Sequence, residues 1–355
     1  MSLCKQKIKE TKDRELKTEH RELKLCYSDV TIKKKSIGGI VLRVKQETKT
    51  TKFKLGGQQK TQLKLWSFCI IPMILTFVFS YIPMVGIIIA FKDYRYDKGM
   101  FGSDWVGINN FKFFFESNEF FRITWNTLYM NILFIAVGIA CAVIVAVLLF
   151  ELKSRAKVKT FHTLLITPHF ISWVIAAYMV YAFLNPEYGA VNNLLERWGM
   201  EKIQFYSIPE IWPGILLLVF VWKTVGMDSV LYYATLMGLD ESLFEAAYLD
   251  GANEWQKARY ITMPSLIPII TLLTIIKVGG IFRADFGLFY QIPRNVGALY
   301  ETTDVIDTYV FRNLRTLGNV GMSSAVGLLQ SVVGFVLILV TNWASKKIDP
   351  DGGLF

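Results

Sequence analysis

Four stretches of the chain, residues 66–91, 123–150, 161–186 and 320–345, contain no charged side chain, and each exceeds the ~20 apolar residues that a helix needs to cross a bilayer. Nothing else in the sequence restricts the fold so strongly. Two further apolar blocks carry isolated charges: residues 211–239 with Lys223 and Asp228, and residues 265–291 with Lys277, Arg283 and Asp285. Hydrophobic residues make up 53% of the chain and aromatics 14%, more than a soluble domain carries. The expected fold is all-α: a polytopic membrane protein with six transmembrane helices over residues 66–345, flanked by a tail at 1–65 and a short one at 346–355.

Residues 1–65 hold 18 Lys/Arg against 7 Asp/Glu and no long apolar run, the composition of a segment without a packed core. The cluster Lys33-Lys34-Lys35 suits contact with anionic membrane lipid, although a solvated basic tail explains it more simply. The first apolar run begins at Trp66 and is too long for a cleavable signal segment, so it reads as a retained anchor. Basic residues set the orientation. The tail and the short loop with Lys153, Arg155, Lys157 and Lys159 should both face the cytoplasm, and six spans then put both termini there. The outer segments 92–122, 187–210 and 292–319 carry 5 basic against 5 acidic residues, 2 against 4, and 3 against 3.

By the same parity the polar stretch at 240–264 is cytoplasmic. Ser242 and Glu245 have capping-box spacing, so a short helix can begin here, and Gly251 supplies the backbone freedom that ends one. Asn253 and Gln256 repeat the start signal. A second short helix is predicted to run to Met263 and stop there, because proline at 264 disfavours helical geometry in the residue before it. Ala246 and Ala247 leave one face of the first helix almost bare, which permits close approach by another protein. Taken alone, this pattern fits a docking element and a plain connector between membrane helices equally well.

Cys4 and Cys26 lie in the tail and Cys69 and Cys141 within spans, so neither a disulfide framework nor a metal spacing is present. His162 and His169 share a helical face but have Pro168 between them and no third ligand. The sequence contains no Gly-x-x-x-x-Gly-Lys-Ser/Thr phosphate loop and no His-Glu-x-x-His motif. These absences leave no sign of nucleotide hydrolysis by that route or of a membrane zinc protease, so no enzymatic activity, no cofactor of the chain's own and no nucleic acid partner are expected.

An ionisable residue at the centre of a membrane helix costs about 2.5–3.5 kcal/mol on insertion scales, so it is expected to face a partner or a wet cavity. Lys277 and Asp285 share a face of a straight helix, whereas Arg283 is rotated about 240° from Lys277. Arg283 and Asp285 also lie near the outer end, where they can snorkel. Gly279 and Gly280 beside Lys277 allow a helix or a substrate to approach the backbone. Lys223 and Asp228 are about 140° apart on their helix, which disfavours a one-face ion pair; either could line a path.

Glu245-Ala246-Ala247, then Gly251, Ile261, Met263 and Pro264 at their spacings resemble the signature of bacterial ATP-binding-cassette importer permeases, with Met263 where those proteins usually carry Leu. The segments Tyr81 to Tyr94, Gly107 to Phe111, Asn126-Thr127 and Asp304 to Tyr309 resemble the polysaccharide and oligosaccharide branch of that family, and the likeness extends over most of 63–355.

The resemblance implies the type I importer permease fold in the bacterial cytoplasmic membrane. It implies that the 240–264 loop is a coupling helix seated in a cytoplasmic ATPase, with Glu245 forming an ion pair, Ala246 and Ala247 giving tight contact and Gly251 making the bend. The implied partners are a second homologous permease forming a heterodimer, two copies of an ATPase that uses ATP and Mg, and an extracellular sugar-binding lipoprotein. Substrate contacts are expected among Lys277, Arg283, Asp285, Lys223 and Asp228, with Lys277 or Arg283 attracting the carboxylate of a uronate-containing oligosaccharide of plant origin. Trp173, Tyr178, Trp222, Tyr232 and Tyr233 also lie in the later spans, where most aromatics serve packing. The alternative is a self-contained secondary carrier or channel in which the intramembrane charges form a relay.

Overall fold

The computed structural model describes residues 57–152 and 154–348. Residues 1–56 of the expected tail, Lys153 and residues 349–355 lie outside the described residues. The described residues fall into two units, divided between Ile71 and Pro72. The described part of the first belongs to helix α1 (Gly57–Thr76), which begins nine residues before Trp66. The other elements described below belong to the second unit.

Those elements are almost all helical: α2 (Phe120–Phe150), α3 (Arg155–Ile166), α4 (Trp173–Leu184), α5 (Trp212–Leu236), α6 (Glu241–Leu249), α7 (Glu254–Lys257), α8 (Met263–Gly279), α9 (Phe286–Gln291), α10 (Ile306–Leu317) and α11 (Val320–Ile348). One strand pair of two residues each, Lys92–Asp93 with Asp104–Trp105, closes the loop before α2. Helices α2 and α5 form the centre. The buried residues of α2 include Ile123, Thr127, Met130, Phe134, Ala142, Ala146 and Leu149, and those of α5 include Trp212, Leu216, Val219, Ser229, Tyr232 and Leu236. Steps of three or four, or sums of such steps, put each set on one helical stripe, and the stripes meet where the rings of Phe134 and Phe220 stack at 4.5 Å. Helix α3 crosses α5 at Gly226, where any side chain would collide with the Leu165 carbonyl.

Among the described residues, five helices are long and apolar enough to cross a membrane: Trp66–Phe91, Phe120–Phe150, Pro209–Leu236, Glu254–Gly279 and Val320–Lys347. Arg155–Phe170 and Trp173–Leu184 form a sixth crossing only as a pair bent by 99°. The expected straight span over 161–186 is thus broken at Ile171-Ser172. Pro168 opens a 3-10 turn there, and the Ser172 side chain accepts from the Ile175 N–H to start α4.

The fifth block also departs from expectation at both ends. Its membrane helix does not run from 265 to 291; it ends at Gly279, and the chain restarts as α9 at Phe286 under an Asp285 cap. Nor does Pro264 end a helix. The turn at Ala258–Thr262 widens to π geometry, and α8 begins at Met263 with Pro264 in its first turn, where proline needs no N–H partner. Glu254 to Gly279 is one rod.

Candidate functional site

The polar stretch folds as two capped helices. Helix α6 is capped by Asp240, whose carboxylate accepts from the Ser242 N–H at 3.0 Å, so the start lies ahead of the Ser242 expected from capping-box spacing. That hydrogen bonding holds the Asp240 carboxyl below its ordinary value. At the other end Ala252 N–H donates to the Ala247 carbonyl (2.9 Å) and Gly251 N–H to the Tyr248 carbonyl (3.0 Å), with Gly251 at φ +77°. This is the Schellman arrangement, which requires a residue tolerant of left-handed geometry. The predicted second start is present as a full capping box: Asn253 accepts from Gln256 N–H at 2.9 Å, and the Gln256 side chain accepts from Asn253 N–H at 2.8 Å.

Contacts between and behind the two helices make the loop a unit. Lys257 bonds Glu254 at 3.2 Å and lies over the Tyr248 ring of α6 at 5.4 Å. Phe244 packs on Phe150 at the end of α2, ring centroids 5.6 Å apart. Outward, Glu245 and Ala246 are exposed. So are Leu243, Tyr248, Leu249 and Trp255, the last three more than 70%. Gly251, Met263 and Pro264 are exposed too, while Ala247 and Ile261 are half-buried. The loop thus presents several large apolar side chains beside Glu245, an exposed apolar surface of the kind found at interaction sites.

The second feature lies at the far end of the same rod. A cavity of about 230 Å³ is lined by Asn131, Phe134, Phe220, Lys277, Gly280, Arg283 and Asp285 among others. The break after Gly279 brings Lys277, Arg283 and Asp285 together, which a straight helix could not do. Asn131 holds the broken segment by donating to the carbonyls of Ile281 (2.8 Å) and Arg283 (3.2 Å). Close packing lets the helix end there: a side chain at Gly279 would meet Ile338 of α11, and one at Gly287 would meet Trp173.

The five expected charges do not act as one set. Lys277 pairs with Asp228 of α5 at 2.7 Å, each side chain about 30% exposed. Lys223 is buried and turned to the break in the third span, where its ammonium donates to the carbonyls of Pro168 (3.4 Å), His169 (2.8 Å) and Ile171 and lies 5.0 Å from the Trp173 ring. It fills the role of the absent N–H donors at a helix end. Asp285 caps α9 and accepts from the Trp173 indole at 3.0 Å. Arg283 donates to Ser331 at 2.7 Å and has no ion-pair partner among the described residues.

The segments Asn126-Thr127 and Asp304 to Tyr309 meet in a buried network. Asn126 donates to the carbonyls of Glu301 (2.9 Å) and Asp304 (3.1 Å), and Thr127 accepts from Ile306 N–H (3.0 Å). The fully buried Asp304 carboxylate holds Arg312 at 2.6 Å. This network fastens α10 to α2. Arg294, absent from the sequence-based set, stacks on Tyr181 at 4.1 Å. No motif surrounds it in the sequence.

Comparison with known proteins gives consistent matches. The family model described as binding-protein-dependent transport system inner membrane component matches residues 158–350. Protein LplB of Bacillus subtilis (strain 168) is 34% identical over 284 residues, covering 80% of this chain and 89% of its own. The polygalacturonan/rhamnogalacturonan transport system permease protein YteP of the same organism is 32% identical over 312 residues, covering 88% and 95%. A crystal structure of a bacterial ABC transporter involved in the import of the acidic polysaccharide alginate superposes with a TM-score of 0.73 at 33% identity, covering 82% of this chain and 97% of that one. The alginate transporter in complex with alginate pentasaccharide-bound periplasmic protein matches at the same TM-score.

Proposed function

This chain belongs to the family of binding-protein-dependent transport system inner membrane components, and from that premise we propose that it is the permease subunit of an ATP-driven importer of acidic oligosaccharides, coupled to a separate ATPase through residues 240–264. The observation that carries this reading is the continuity of the rod from Glu254 to Gly279. At 1.5 Å per residue it spans roughly 38 Å, so one continuous helical span, with the π turn at Ala258–Thr262 and Pro268 inside it, links the exposed loop to the cavity at Lys277, Arg283 and Asp285.

In this reading Glu245 forms the charged contact with the cytoplasmic ATPase, Ala246 and Ala247 let it approach closely, and the Gly251 bend sets the angle of α6. Ile261, Met263 and Pro264 join the loop to the membrane rod. A second, homologous permease supplies the other half of the pathway, two ATPase copies bind ATP and Mg, and an extracellular sugar-binding lipoprotein delivers the substrate. The loop and both termini then face the cytoplasm. The relatives named for polygalacturonan and alginate support an anionic cargo. Within the cavity Arg283 is the cation free to meet a carboxylate, because Asp228 already neutralises Lys277.

The test is uptake of an oligogalacturonate by the transporter reconstituted in proteoliposomes with its partner permease, ATPase and binding protein. Uptake is expected only with ATP and only when the ATPase is present. Uptake at the same rate without the ATPase would establish a self-contained carrier instead.

A further inference from the structure

A second cavity, of about 290 Å³, lies one helix away from the first and is lined by Val174, Ala177, Tyr178, Tyr290, Gln291, Arg294 and Asn295. Its chemistry differs from that of the first. The Arg294 guanidinium lies over the Tyr181 ring at 4.1 Å and the Tyr178 ring at 5.7 Å. It has no ion-pair partner among the described residues, and the side chain is exposed. Arginine stacked on aromatic rings keeps its outward N–H fork free and oriented for a planar carboxylate.

The backbone is set to present that fork. Arg294 and Asn295 both have positive φ, 58° and 50°, a conformation that costs a non-glycine residue of order 1–3 kcal/mol and gathers at ligand clamps. Local bonds hold it in place. Arg294 N–H donates to the Gln291 carbonyl (3.1 Å), and Tyr300 donates to the Asn295 side-chain oxygen (2.9 Å). Behind Tyr181 stands Tyr206, ring centroids 5.6 Å apart, whose hydroxyl is buried without a hydrogen-bond partner.

Position links this niche to the first cavity. Trp173, which holds Asp285 at the edge of the first cavity, and Tyr181 belong to the same helix α4, so their backbones lie about 12 Å apart along its axis. The loop carrying Arg294 follows directly from α9, whose cap is Asp285. The two unpaired arginines, 283 and 294, thus sit at the two ends of one short helix.

We propose that the Arg294–Tyr178–Tyr290 niche is a binding station for the uronate residue of an acidic oligosaccharide, in which Arg294 takes the carboxylate and the tyrosine rings the sugar face. This rests on the importer reading above and adds a recognition site that precedes or follows Arg283 along the same path. Aromatic faces suit the apolar side of a pyranose ring, and Gln291 and Asn295 offer amides for its hydroxyls.

The test compares uptake of tetragalacturonate and of its fully methyl-esterified form by the complete reconstituted transporter, in wild type, Arg294→Gln and Arg294→Lys. Arg294→Gln is expected to raise KM for the acid about ten- to a hundredfold, the range of a lost charged hydrogen bond, and to leave the neutral ester unchanged. Arg294→Lys should recover part of the loss. Equal loss for acid and ester would overturn the proposal, since it would mark Arg294 as a fold element or a contact for the binding protein's own carboxylates. Normal KM for the acid in Arg294→Gln overturns this site and leaves the importer reading standing. Wild-type protein that transports neither compound overturns both.

Discussion

An unpaired lysine in a membrane helix costs about 2.5–3.5 kcal/mol, and both lysines within the spans have found partners on other helices. For Lys277 the partner is Asp228, and for Lys223 it is a set of helix-end carbonyls. That these charges needed partners was legible in the sequence; which partners they take was not, because they lie 49 and 54 positions away. The face argument within one helix answered the wrong question for Asp228, whose mate is on α8. If the pair is structural, Lys277→Met and Asp228→Leu should each lower the thermal stability of the detergent-extracted complex. The double variant should regain part of the loss, with a coupling of about 0.5–3 kcal/mol in a double-mutant cycle. Strict additivity would show that the two residues act independently. Arg294 carried no sequence signal at all, since its setting depends on Tyr178 and Tyr181 from an earlier helix and on backbone geometry. Tyr178 itself was visible only as one aromatic among many.

Short capped helices are specified locally, which is why Asn253, Gln256 and Gly251 act as their spacing predicts. The start of α6 moved from Ser242 to Asp240 because a carboxylate two residues earlier offers the stronger acceptor for an N-terminal N–H. The two broken spans were not legible, since a glycine pair and a proline are compatible with both a continuous and an interrupted membrane helix. What stabilises the second break comes from α10 and α11: Asp307 accepts from Ala284 N–H at 2.8 Å and from Gln330 at 3.3 Å. Burial pushes the Asp307 carboxyl above its ordinary 3.8, while those hydrogen bonds and the Arg283 charge pull it the other way. A carboxyl with a raised folded pKa favours the folded state when protonated. Its contribution therefore falls as pH rises from the ordinary carboxylate value through the raised one and stays low above it. Asp307→Asn, which keeps an acceptor for Ala284, should flatten the pH dependence of thermal unfolding in that acidic window and be no less stable than wild type at pH 7. A pH profile identical to that of wild type would remove Asp307 as its cause.

At the scale of the molecule, uncharged runs identified the membrane crossings and an all-helical fold, and the type I importer permease fold that the family resemblance implied holds. Run length alone could not show that one crossing is a bent pair or that the helix from Glu254 continues into the following span as far as Gly279. Those features depend on contacts with Lys223 and on the π turn ahead of Pro264. In the proposed importer the continuous span would carry motion of the loop toward the cavity. The most direct measurement is ATPase association and ATP-driven uptake of the complete transporter carrying Glu245→Lys or Gly251→Val. The first reverses the exposed charge; the second places a β-branched residue at φ +77°. Both variants are expected to reach the membrane in wild-type amounts yet lose roughly tenfold in ATPase affinity or transport, the scale of one charged contact. Wild-type assembly and wild-type uptake in both would contradict the coupling role of residues 240–264.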